Sequence, residues 1–162
     1  MINITQKISI KADINTIWAY LTDFSHSLNF NRFHINMELP PNYSLGKMNA
    51  FTINHNFGFG TYEMVAKIKK FIPPNRLSLF EYCHDDPKKG FPHTVDLKID
   101  SDLKKSRLSY TVSGTYGGRV QDLSFKPILR GVMKEELLKI KNASESSETA
   151  YKAMTSETAK PI

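Results

Sequence analysis

Apolar and polar residues alternate from the start of the chain. Ile2, Ile4, Ile8 and Ile10 fall on one face of a strand over residues 2–10, with Gln6 interrupting that face. The period then changes. Ile14, Ile17, Trp18 and Leu21 are spaced i, i+3, i+4, i+7, which predicts a first short helix ending near Thr22 or Asp23. Asp13 stands just before it, where a carboxylate can accept the unpaired amides of the first turn. Leu28, Phe30 and Phe33 predict a second short helix over Ser25 to Phe33, although Asn29 and Asn31 disfavour it.

From Ile35 the pattern is strand-like. Pro40-Pro41-Asn42 and Leu45-Gly46-Lys47 read as turns. Phe51, Ile53, His55 and Phe57 alternate with Thr52, Asn54 and Asn56, and Gly58 and Gly60 mark a hairpin into residues 61–72. Pro73-Pro74 cannot lie inside a central strand, because each proline lacks an amide donor, so they mark a hairpin corner. Further strands follow at Leu77 to Cys83, Val95 to Ile99 and Leu108 to Val112, giving about seven in all. After Gly117-Gly118 a helix is expected from Arg119–Ser124 to about Lys141, with Leu129, Val132, Met133, Leu137 and Ile140 as its buried stripe. Residues 143–162 hold few large apolar side chains and are expected to be a disordered tail behind a single domain over residues 1–142. Consecutive hairpins followed by one long helix predict an α+β fold with an antiparallel sheet.

Composition narrows the picture. The 162 residues are 40% hydrophobic, enough for one core. Cys83 is the single cysteine, which excludes an internal disulfide framework and any cysteine-based zinc site. No apolar run reaches the ~20 residues of a membrane span, and the alternating N-terminus does not resemble a signal peptide. The reading is therefore a soluble cytoplasmic protein. Net charge is +6, with −1 in the tail and +7 in the remainder. Lys67, Lys69, Lys70, Lys104, Lys105 and Arg107 would form a basic patch if their strands were neighbours, but no nucleic-acid-binding signature accompanies them.

The element order, together with Ile17-Trp18-Ala19-Tyr20-Leu21-Thr22-Asp23-Phe24, the Leu45-Gly46 turn, the Phe71-Ile72-Pro73-Pro74-Asn75-Arg76-Leu77 corner and the amphipathic last helix, resembles the helix-grip superfamily. This group unites START-related, polyketide-cyclase-like and pollen-allergen-like (SRPBCC) domains. The resemblance covers residues 1–142. It implies a curved sheet wrapped around the last helix, with a hydrophobic cavity between them. Members bind lipids, sterols, polyketides, quinones or hormones, and a minority catalyse cyclisation or dehydration.

On that basis the cavity candidates are Phe30, Phe33, Phe51, Ile53, His55, Tyr62, Met64, Glu81, Tyr110, Val112, Leu129 and Met133. The same residue types also build cores. His55 shares a face with Phe51, Ile53 and Phe57, and histidine is a side chain suited to general acid or base work near neutral pH, so it fits that role as well as that of a core histidine. Glu63 and Glu81 lie on neighbouring predicted strands, with Glu81 flanked by apolar residues on both faces. His26, His34, His84 and His93 show no metal-ligand spacing, and Asp85-Asp86 lacks the periodicity of an EF-hand. No metal and no cofactor are expected. Carriage of a small hydrophobic molecule leads, with the Ser25 to Phe33 segment or the Gly46 loop as its gate. The alternative is a cyclase or dehydratase using His55 with Glu81 or Tyr110.

Overall fold

The computed structural model describes residues 1–24, 31–41, 50–58, 60–102 and 105–158. The first strand, β1 (Ile2–Ile10), leads into helix α1 (Ile14–Thr22). Asp13 caps that helix as its position predicts, its carboxylate accepting from the Asn15 amide at 2.8 Å. Six strands follow: β2 (His34–Glu38), β3 (Ala50–Asn56), β4 (Thr61–Ile72), β5 (Arg76–Cys83), β6 (His93–Asp102) and β7 (Lys105–Gly114). The last element is helix α2 (Arg119–Thr158).

The strands form one antiparallel sheet in the order β1-β7-β6-β5-β4-β3-β2. Each neighbouring pair from β2 to β7 is a sequential hairpin, and β1 closes the other edge against β7. Gly58 and Gly60 take positive φ at the β3–β4 turn, a conformation that side chains with a Cβ disfavour. The proline corner joins β4 to β5, with the Asn75 amide donating to the Ile72 carbonyl. Between β4 and β7 lie β5 and β6, so Lys67, Lys69 and Lys70 are not beside Lys105 and Arg107, and the basic patch does not form from them.

One face of the sheet and the stripe of α2 form the core. Ile53, Met64, Ile99, Leu108, Met133 and Ile140 are among its fully buried side chains. Helix α2 crosses against β1 and α1. It does not stop near Lys141. The Tyr20 hydroxyl is 2.5 Å from the Ser147 hydroxyl, the Thr16 hydroxyl donates to Glu148, and Glu145 accepts from the Lys11 amide. Polar contacts with α1 and the end of β1 thus hold residues that apolar content alone leaves without a partner.

The second expected short helix falls mainly on residues 25–30, outside the described residues, as does the Leu45-Gly46 turn. Asn31 to Phe33 form a turn instead of a helix end. The Asn31 side chain accepts from the Phe33 amide at 3.0 Å, and its carbonyl accepts from His34. That local bonding competes with helix continuation.

Candidate functional site

A largely apolar cavity lies between the concave sheet face and α2. Leu77, Leu79, Val95, Leu97, Val112 and Leu129 supply apolar wall, and Phe33, Phe57 and Phe91 supply rings. The cavity volume is ≈ 50 Å³, small beside the ~300–1,000 Å³ of a typical ligand pocket. Two groups of polar side chains break into this apolar lining.

The first group comes from four strands. His34 on β2 pairs directly with His55 on β3, and Glu81 on β5 pairs directly with His93 on β6. The curved sheet turns these two pairs toward each other across β4. His55 Nε2 comes within 3.2 Å of Glu81 Oε2, and His93 Nε2 within 3.5 Å of the same oxygen. The rings of His34 and His55 meet edge to face at 4.5 Å between centroids. His55 and Glu81 are each 2% exposed, so both have left bulk water. The His55–Glu81 approach is at hydrogen-bond distance but out of hydrogen-bond alignment. Neither ring nitrogen of His55, nor Glu81 Oε2, has an aligned partner among the described residues. His93 is tethered: its Nδ1 lies 2.6 Å from the Phe91 carbonyl.

Gly114 stands opposite His93 in the β6–β7 ladder of the sheet, and a Cβ there would meet the Pro92 carbonyl oxygen at 2.4 Å and His93 Cβ at 2.7 Å. Only a residue without a side chain lets β7 approach β6 so closely at that point.

The second group joins sheet to helix. The Tyr110 hydroxyl donates to Glu136 Oε2 at 3.2 Å, and the Asn31 side chain acts to lower the pKa of both. The two carboxyls are driven apart in acidity. Burial raises Glu81, but the charge of His93, the close polar contact with His55 and the charges of His55 and His34 outweigh it and bring its pKa to about 2. Burial raises Glu136 to about 8, with the Glu81 charge adding to the rise against the Tyr110 hydrogen bond. Burial also lowers His93 below its ordinary value, in spite of the Glu81 charge, and raises Tyr110. At neutral pH the cavity thus holds an ionised Glu81 and a protonated Glu136.

No protein-family profile and no curated protein matches the chain. Solved structures do. A conserved protein from Geobacillus kaustophilus aligns with a TM-score of 0.71 at 15% identity, over 90% of this chain and 97% of that one. The Aha1 dimer protein from Colwellia psychrerythraea aligns at 0.64 with 21% identity, over 90% and 97%. The di-domain ARO/CYC StfQ from the steffimycin biosynthetic pathway aligns at 0.66 with 14% identity, over 90% of this chain and 51% of that one. The fold is a helix grip. Likeness at these identities concerns architecture, and each function belongs to the protein that carries it.

Within the helix grip, the residues singled out from sequence divide. Phe33, His55, Glu81, Tyr110, Val112 and Leu129 line the cavity. Phe51, Ile53, Tyr62, Met64 and Met133 do not. Phe51, Ile53, Met64 and Met133 pack in the core, while Tyr62 is half-buried beside Phe57. Alternation gives the inward face of a strand but not how far along it the cavity extends. Phe30 lies outside the described residues. Glu63 points away to solvent, so it forms no pair with Glu81. His34, His93, Asn31 and Glu136 were not among the predicted cavity residues. For Glu136 a signal existed, since it falls between Met133 and Ile140 on the buried stripe. For His34 and His93 only the sheet register brings them in. Among the described residues, no helix is long and apolar enough to cross a membrane.

Proposed function

We propose that the protein binds a small, largely apolar molecule with one polar end in the helix-grip cavity. The observation behind this reading is the combination of an apolar cavity and a buried polar cluster whose His55 and Glu81 atoms lack aligned partners. The apolar walls favour the body of a ligand at ~25 cal/mol per Å² removed from water. The polar cluster satisfies its head group, which fixes orientation. The space is small, so the ligand has few heavy atoms or enters by displacing Phe33 and Phe57. Native mass spectrometry of freshly purified protein, followed by organic extraction, tests the reading. A stoichiometric adduct that disappears in Leu129→Phe supports it. An adduct equally abundant in that variant places the ligand elsewhere.

A second reading is favoured by the opposite shifts of Glu81 and Glu136. Carboxyls pushed to either side of neutrality serve as base and acid. His55 and Tyr110 stand next to them as proton carriers. A cyclase or dehydratase of this kind supplies shape and proton transfer without a covalent intermediate, and the likeness to StfQ supports the reading by analogy alone. Glu136→Gln should then reduce turnover at least about a hundredfold with little change in ligand affinity, whereas a carrier loses neither.

A further inference from the structure

We propose that His34, His55 and Glu81, with His93 beside them, bind one divalent first-row transition metal ion. One donor atom from each of His34, His55 and Glu81 lies within 4.8 Å of the others. Two donors on a tetrahedral ion with bonds of about 2.0–2.1 Å stand about 3.3 Å apart. The 3.2 Å between His55 Nε2 and Glu81 Oε2 matches that edge.

Three arguments beyond proximity point to an ion. The first is satisfaction. His55 and Glu81 are almost wholly buried, and the atoms that face each other have no aligned hydrogen-bond partner among the described residues. Buried polar atoms left so are costly, and a cation at their common focus satisfies them together. The second concerns His93. Its Nδ1 faces the Phe91 carbonyl, which only accepts, so that nitrogen carries a proton. Its Nε2 lies 3.5 Å from Glu81 Oε2, on the side of the cluster. A backbone carbonyl holding the far nitrogen is also how metal-bound imidazoles are oriented. The third is charge. Glu81 supplies the anion that offsets part of an ion's charge inside an apolar cavity.

Imidazole and carboxylate donors without a thiolate suit zinc, iron, cobalt or manganese over copper(I). Three protein ligands leave one position of a tetrahedral ion, for His93 or for a molecule in the cavity. An ion on His55 would remove that residue as a proton carrier and leave acid–base work to Glu136 and Tyr110.

The test is metal titration of protein purified without a histidine tag and stripped with a chelator. Co²⁺ and Zn²⁺ are the probes, read by the visible bands of Co²⁺ and by calorimetry. One equivalent per chain is expected, with a raised melting temperature. His34→Ala and Glu81→Gln should each weaken binding at least about tenfold, while His84→Ala, an exposed histidine outside the cluster, leaves it unchanged. His34 is on the edge strand, so its variant is the one best able to fold, and melting of the apo forms checks that. Absence of saturable binding in folded wild-type protein overturns the proposal, as does binding that survives both variants. No organic ligand is used, so this outcome is separate from that of the carriage reading.

Discussion

Glu136 occupies a position on α2 where a leucine would serve the core. It keeps its proton to about pH 8, whereas the ordinary carboxyl releases its own near 4.5. Across that window the folded chain binds a proton that the unfolded chain has lost, so this group makes stability fall as pH rises. Tyr110, Asn31, Glu81 and Lys139 are the groups that act on it. His93, with its lowered pKa, contributes the opposite slope below its ordinary value. Urea unfolding of wild type and Glu136→Gln at a series of pH values separates them. The wild type should lose stability relative to the variant between about pH 4.5 and 8, and a constant difference would contradict the assignment. Gly114 makes a second case at this scale. Gly114→Ala should cost about 1–3 kcal/mol, because backbone atoms of Pro92 and His93 must move. In sequence Glu136 shows only as a polar residue on the buried stripe of the last helix, and Gly114 does not show at all. A buried glutamate and a close-approach glycine are defined by what stands opposite them, and that is set by register.

Elements were far more legible than contacts. The i, i+3, i+4, i+7 spacing and Asp13 marked α1 with its cap, alternation marked the strands, and paired prolines and glycines marked their corners. The end of α2 was not legible. Apolar periodicity stops near Ile140, and what continues the helix is a set of hydroxyls and carboxylates meeting α1 and the end of β1. Truncation after Asn142 should therefore lower stability by about 1–2 kcal/mol, as partly solvated hydrogen bonds are lost. At about 2–4 °C per kcal/mol, differential scanning calorimetry resolves this, and an unchanged melting point would show those contacts to be idle. Within the stripe, Leu137→Ala should cost about 2–5 kcal/mol, since Leu137 is 2% exposed in the core between helix and sheet.

At the scale of the molecule, hairpin order was enough to predict one antiparallel sheet, and the resemblance to the helix-grip superfamily wrapped it around the last helix. The polar cluster was not readable in the same way. Its donors are far apart in sequence and meet because β2 with β3, and β5 with β6, each place two inward residues in direct register. Spacing rules for metal and catalytic motifs describe sites built on one helix or loop, and they miss sites assembled from the middle of several strands. The unpaired state of His55 and Glu81 also has no trace in one dimension.

One of those strands has a neighbour on one side alone. β2 ends the sheet, and it carries His34. End strands fray before central ones, so occupancy of the cluster and closure of the margin are one equilibrium seen from two ends. Anything that fills the site works as a clasp on β2. Amide hydrogen exchange along His34–Glu38 should slow when the cluster is filled, and central β6 should hardly respond.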